Sequence, residues 1–269
     1  MNTTILEHNQ RAAAVWSSGG KDYDRVSHGI ASALEHCVHR LDPQPTERVL
    51  DLATGTGWTS RVVARRGASV VGADIAEGLL DAARERAAAE GLAIDYQVGD
   101  AEKLPFADGQ FDAVISSFGV MFASRPEVAA AELARVCRKG GRLALATWLP
   151  DSSVFQMFTV MKEYMPAPPT PAPPSPFAWG STERLRELLG QHFDLKFEAG
   201  TTVLHDSSGE AVWKTMSVGY GPTKMLAASL DETRRAALHR DFVAFHDGFG
   251  TDLGIAVPRT YLVTVGTRR

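Results

Sequence analysis

Three acids, Asp51, Asp74 and Asp100, stand at or just past the ends of successive apolar runs, and Gly55 and Gly57 follow the first. In the stretch Val49-Leu-Asp-Leu-Ala-Thr-Gly-Thr-Gly57, glycine lets a ligand approach the main chain and permits positive φ in a tight turn. A glycine turn of this kind is by itself as readily structural as functional. Asp74 is more informative, because it closes the second run 19 residues after Gly55. In a nucleotide-binding α/β fold, a carboxylate there accepts hydrogen bonds from both ribose hydroxyls. The alternative is a cap for a helix starting near Ala76. Asp100, in Val98-Gly-Asp-Ala-Glu102, suits a contact with an adenine amino group, with the Ala101 amide near a ring nitrogen. It too can be a turn or cap residue. Acids at three strand ends line the carboxyl edge, where open parallel sheets bind ligands, and their conjunction says more than any one of them.

Those acids need a sheet to align them. Short apolar runs at Arg48–Leu52, Ser69–Asp74, Ile94–Val98, Phe111–Ser117 and Arg142–Trp148 read as strands buried on both faces of a parallel sheet. Between them, Ala76–Glu90 is rich in helix formers and stops at Gly91, and Glu127–Lys139 opens after Pro126 and closes at Gly140-Gly141. A helix also opens at Trp58. The alternation predicts a doubly wound α/β domain, without internal repeats. Residues 1–45 read as two helices with Trp16 and Tyr23 near their junction. Pro166–Pro176 reads as an extended surface loop, and Ser181–Leu189 as a capped helix. Phe193–Leu204 and Arg259–Gly266 read as strands, with a mostly helical insertion over 207–250 between them.

With 269 residues, 44% of them hydrophobic, the chain is long enough for one large domain or a domain with a lid. A formal net charge of −4 gives no electrostatic reason to expect nucleic acid. Cys37 and Cys137 are too few for a disulfide framework and have no metal-ligand spacing, so a reduced, cytoplasmic compartment is expected, with no metal. The polar run Glu7–Arg11 stands where a signal peptide would be apolar, and no run approaches the length of a membrane span.

At these motifs the sequence resembles the class I S-adenosylmethionine-dependent methyltransferases, and within them the ubiquinone/menaquinone-biosynthesis C-methyltransferase-like group (methyltransferase domain type 11). The matching stretches are DLATGTG at 51–57, GADI at 72–75, GDAEKLPFADGQFD at 99–112, ISSFGVMF at 115–122 and RKGGRLAL at 138–145. The resemblance implies a Rossmann-like, mostly parallel seven-stranded sheet with an antiparallel last strand and helical lid insertions. It divides the chain into a helical lid over 1–45, a cofactor-binding core over 46–149, and a remainder over 150–269. That remainder completes the sheet and carries substrate-lid segments at 150–180 and 207–250. Carried over by position, it implies S-adenosylmethionine contacts at Tyr23, Asp51, Ala53, Thr54, Gly55, Thr56, Gly57, Asp74, Ile75, Asp100, Ala101, Glu102 and Ser117. The Asp51 side is expected near the methionine amino group, Asp74 near the ribose, and Tyr23 as an aromatic lid. Ala53 departs from a frequent first glycine, Lys139-Gly140-Gly141 lacks a common proline, and nothing beyond Trp148 matches a quinone-methylating signature.

The expected partner is a small-molecule methyl acceptor with a hydrophobic or aromatic body, and a homodimer is left open. Its pocket is expected from Trp16, Tyr23, Phe118, Met121, Phe122, Phe155, Met157, Phe158, Met161, Tyr164, Met165, Trp213, Met216 and Tyr220, residue types that equally build ordinary core. His28, His205, His239 and His246 are the base candidates; each also reads as a surface or structural histidine, and no catalytic residue is assigned. Two rivals stand: an NAD(P)-dependent oxidoreductase, because Gly55-x-Gly57-x-x-Ser60 is close to the dinucleotide fingerprint, and a non-catalytic nucleotide-binding regulatory protein. Ser60 in place of the third glycine, the additional Asp100 and the helical lead-in argue against the first.

Overall fold

The computed structural model describes residues 5–167 and 172–269, so part of the proline-rich loop expected over 166–176 lies outside the described residues. Strands β1 (Arg48–Leu52), β2 (Ser69–Asp74), β3 (Ile94–Val98) and β4 (Phe111–Ser117) occupy the first four apolar runs. Burial explains why they were legible: Val49–Leu52 and Ala113–Ser116 are buried residue after residue, as strands covered on both faces must be. Helices α1 (Gln10–Ser17), α2 (Tyr23–His28) and α3 (Ala31–Leu41) precede β1. Three helices and two short 3-10 turns thus replace the two expected, with breaks at Gly19-Gly20 and Gly29-Ile30. α4 (Trp58–Ala64), α5 (Glu77–Ala89) and α6 (Pro126–Val136) make the crossovers.

The helix expected to reach Lys139 stops at Val136. At Cys137 the backbone turns extended, with φ −79° and ψ 125°, and β5 (Cys137–Trp148) pairs Cys137 with Phe111 across an irregularity before Ala113. The chain continues through α7 (Ser153–Lys162), α8 (Thr182–Leu189), β6 (Phe193–Asp206), α9 (Gly209–Gly219), α10 (Gly221–Ser229), α11 (Glu232–Asp247), β7 (Gly250–Thr251) and β8 (Gly254–Arg268). Ser181 caps α8, its hydroxyl accepting from the Arg184 amide at 3.3 Å.

The sheet order is β3-β2-β1-β4-β5-β8-β6. β1 to β5 are parallel, and β8 runs antiparallel between β5 and β6. The expected seven strands gain an eighth, the two-residue β7 paired with the start of β8. One detail of register positions the site. β5 ends at Trp148, opposite Tyr261, whereas β6 pairs with β8 back to Ile255. Residues 255–260 of β8 therefore overhang the carboxyl edge of the parallel strands.

Helices from both flanks cover that edge. α1 meets the α9–α10 junction so closely that a Cβ at Gly221 would stand 2.1 Å from the Val15 carbonyl oxygen, and only glycine fits. Lys224 Nζ donates to the Ser18 carbonyl at 2.6 Å across the same contact. Among the described residues, no helix is long and apolar enough to cross a membrane.

Candidate functional site

A cavity of about 1000 Å³, its mouth included, opens at the carboxyl edge between the strand ends and the N-terminal helices. Tyr23, Ala53, Thr54, Gly55, Asp74, Ile75, Asp100, Ala101, Glu102 and Ser117 all line it, whereas Asp51, Thr56 and Gly57 do not. Asp51 lies behind the loop, and Thr56 and Gly57 lie within it. Asp51 is 1% exposed, and the Thr54 and Ser60 hydroxyls each donate to its carboxylate at 2.6 Å. Burial pushes Asp51 up to about 6, against the pull of those hydroxyls. Its side chain thus ties β1 to the start of α4. Ser60, the departure from a third glycine, is the residue that makes this tie. Thr56 donates to Asp24 at 3.1 Å. Gly57, at φ +75°, is needed for clearance, since a Cβ there would stand 2.2 Å from the Tyr96 hydroxyl oxygen.

Asp74 joins the glycine loop to the end of β2. One carboxylate oxygen accepts from the Gly55 amide and the other from the Ala76 amide, both at 2.8 Å. The cap position of α5 is Ala76, and by accepting its amide Asp74 also serves the entry to that helix, so Asp74 meets the capping reading as well as lining the cavity. Burial raises Asp74 to about 6 while the backbone amides of Gly55, Ala76 and Ile75 counter it, and it is ionised at neutral pH.

Asp100 is engaged by a segment 94 residues away. One of its oxygens accepts from the Leu6 amide at 3.1 Å and from Asn9 Nδ2 at 3.0 Å; the other accepts from Asn9 Nδ2 at 3.1 Å and the Glu102 amide at 3.0 Å. Ser124 donates to the Asn9 side-chain oxygen at 2.7 Å, and His8 Nε2 lies 2.7 Å from Glu102. Residues 6–9 form a clasp over this end of the cavity. No sequence pattern announced it, because its bonds join segments with no local relation.

Trp58 Nε1, on a residue of the cavity wall, is buried with no hydrogen-bond partner among the described residues, and the Ser117 hydroxyl lies beside the Cys37 thiol. The wall is also strained. Ala53 has φ +56° and Phe118 has φ +60°, a left-handed conformation that costs a bulky residue on the order of 1 to 3 kcal/mol and gathers at functional sites. Phe118 is held by a 2.8 Å bond from its amide to the Ala146 carbonyl, and its ring stacks 3.8 Å from that of Trp148.

A second, smaller cavity adjoins the first and shares Trp16, Tyr23, Ile30, Phe118 and Phe122 with it. Of the aromatic and methionine residues expected around an acceptor, Met157, Met216 and Tyr220 join those shared with the first cavity. Met121 and Met161 are core, Phe155 and Met165 are exposed, Tyr164 donates to Asp241, and Phe158 and Trp213 pack against Phe177 and Phe242. Sequence reasoning missed Trp148 and Arg259. None of the four histidine candidates lines either cavity. His246 is buried against the Phe242 carbonyl, and burial pushes it down to about 4.

Residues 50–145 match the family described as "Methyltransferase domain". An uncharacterized protein of Mycobacterium tuberculosis (strain ATCC 25618 / H37Rv) is 38% identical over 231 residues, spanning 81% of this chain and 83% of that protein. The demethylmenaquinone methyltransferase of Corynebacterium kroppenstedtii is 35% identical over 168 residues, spanning 60% of this chain and 70% of that one. The solved structure of the YcgJ protein from Bacillus subtilis superposes with a TM-score of 0.60 at 18% identity, covering 90% of this chain and 98% of that one, which shows the shared fold. Together with the sheet order and the carboxyl-edge cavity, these matches place the chain in the class I S-adenosylmethionine-dependent methyltransferases.

Proposed function

We propose that the chain binds S-adenosylmethionine in the larger cavity and transfers its methyl group to a small acceptor with a hydrophobic or aromatic body in the adjoining one. The observation that carries this reading is Asp74: an ionised carboxylate, anchored from two sides by main-chain amides, in the wall of a cavity at the carboxyl edge. Its remaining lone pairs suit a ribose diol. The Trp58 indole, without a hydrogen-bond partner among the described residues, fits a polar ligand that supplies what the protein does not.

When bound, the cofactor supplies a methyl group on a sulfonium centre. The chain's own work is alignment and exclusion of water. Positioning two reactants lowers such a barrier by roughly 7 to 11 kcal/mol, and an apolar enclosure avoids over-stabilising a cation whose charge disappears along the path. Tyr23 and Trp16 stand between the two cavities and line both. No side chain is assigned as a base. An adenine contact by Asp100 requires the clasp of residues 6–9 to release part of its hold on that carboxylate. In this reading residues 1–45 and the segments 150–180 and 207–250 serve as lids over a cofactor core at 46–149.

Titration calorimetry tests the reading directly. S-adenosylhomocysteine is expected to bind at micromolar concentration, and NAD is not. Asp74→Ala should weaken S-adenosylhomocysteine by roughly 1 to 3 kcal/mol. Binding of NAD alone would return the chain to the oxidoreductase reading, and an unaffected Asp74→Ala variant would remove Asp74 from the site.

A further inference from the structure

Arg259 lies on the part of β8 that overhangs the carboxyl edge, and it is 7% exposed. Arg61, Arg135 and Arg142, buried or part-buried elsewhere, are each paired with acids: Arg61 with Asp24 and Glu90, Arg135 with Glu132, Arg142 with Glu47; part-buried Arg268 spends its donors on main-chain carbonyls. Among the described residues, Arg259 forms no ion pair and no side-chain hydrogen bond. Residues 1–4 and 168–171 contain no acid that could pair with it. Burial pushes Arg259 down only to about 10, so it stays protonated at neutral pH. A protonated guanidinium kept dry and unpaired is costly unless something arrives to neutralise it.

The guanidinium borders the smaller cavity, whose wall is otherwise aromatic and aliphatic and includes no Asp or Glu. The rings of Tyr23 and Tyr220 lie stacked with centroids 6.4 Å apart, and Trp16 meets Tyr220 edge-on at 5.5 Å. Neither tyrosine hydroxyl has a hydrogen-bond partner among the described residues. Both phenols are pushed up by burial, and the Tyr220 hydroxyl is close enough to Arg259 for their charges to interact. Arg259 and Tyr220 thus bring unspent donors to one flat-walled space next to the cofactor cavity, while Tyr23, which also borders the glycine loop and whose phenol is raised in part by Asp74, stands between the two cavities.

We propose that the smaller cavity is the acceptor subsite and that Arg259 selects acceptors carrying a carboxylate on a flat aromatic or apolar body. The planar guanidinium fork matches a carboxylate in two parallel hydrogen bonds, and Tyr220 offers a hydroxyl donor beside it. The aromatic walls take the body of the molecule. The inference rests on the methyl-transfer reading for what the subsite is for, but its binding chemistry stands on Arg259 alone.

The test measures binding of benzoate, 2-naphthoate and indole-3-acetate, each against its neutral amide, with and without saturating S-adenosylhomocysteine. For the wild type, at least one acid is expected to bind tenfold or more tighter than its amide. Arg259→Met should erase that preference and Arg259→Lys should keep part of it, with S-adenosylhomocysteine affinity within about twofold of wild type in both, since Arg259 lies outside the cofactor cavity. Arg259→Met should also melt no lower than wild type, because it removes an unpaired buried charge. Equal binding of acids and amides, no acid binding at all, or an acid preference that survives Arg259→Met overturns the proposal. Failure of S-adenosylhomocysteine to bind while the acid preference holds would instead overturn the methyl-transfer reading and leave the anion subsite standing.

Discussion

At the scale of single residues, Asp74 and Asp51 behave as a pair with different duties. Burial raises both to about 6, above the ordinary value of 3.8, yet Asp74 faces the cavity and Asp51 stays behind the loop. A raised carboxyl means the folded state binds more protons than the unfolded chain between pH 4 and 6. These two acids therefore subtract stability as pH rises through that window, and the subtraction is absent below it. Ligand binding runs the other way. A ribose diol donates to ionised Asp74, so S-adenosylhomocysteine affinity should be flat above about pH 7 and fall as pH drops through about 6. Calorimetry across that range reads the break directly, and Asp74→Asn should remove it while Asp51, which does not face the ligand, remains to titrate. A wild-type profile without a break between about pH 5 and 7 would mean that the acid does not meet the ligand.

At the scale of elements, the loop from β1 to α4 is a left-handed turn held under tension from both sides. Ala53, Gly55 and Gly57 all have positive φ, and the Asp51–Thr54–Ser60 cluster pins the turn from below. Gly57 is the position with least room, packed on Tyr96, whereas a methyl group on Gly55 would meet Tyr23 Cε1 at 3.4 Å, an ordinary contact. Gly57→Ala should therefore cost about 2 kcal/mol or more, combining backbone strain with a displaced Tyr96, and Gly55→Ala less. Thermal melts of the two variants rank them, and a Gly57→Ala protein melting with wild type would show that the loop relaxes freely. The same loop explains why its match to a dinucleotide fingerprint is shallow: the serine at position 60 is used to hold Asp51, not to give a helix a close approach.

At the scale of the whole molecule, the carboxyl edge of the sheet is closed over by two helical flanks that are distant in sequence and that meet at Val15, Ser18, Gly221 and Lys224. α3 packs into the same core, which encloses Cys37 at 0% and Cys137 at 3% exposure. Burial pushes their thiols up to about 12 and about 11, so neither supplies thiolate at neutral pH. Both should resist a thiol reagent in the native protein and react once it is denatured. Saturating S-adenosylhomocysteine should slow that reaction further, because a ligand of the folded state lowers the unfolded population. Rapid native labelling of either cysteine, followed by mass spectrometry, would show that the core around it opens without global unfolding.

The strands of the parallel core were legible because each is buried on both faces, and that demand writes a continuous apolar run into adjacent residues. The glycine turn and Asp74 were legible for a related reason: close approach and a strand-end carboxylate are set by local backbone geometry at a regular spacing. Helix ends were less so, as at Cys137, where pairing with Phe111 overrode a good helical run. What the sequence by itself determined was the sheet, its carboxyl edge and the cofactor class that its motifs resemble. Only the tertiary structure decided that Asp51 turns inward, that Leu6 and Asn9 clasp Asp100, and that Arg259 is buried without a partner. These depend on contacts between segments far apart in the chain. In the sequence Arg259 is only the first residue of a strand until β8 is seen to overhang β5, because the cost of burying a charge is set by what surrounds it in space and leaves no mark on its neighbours in sequence.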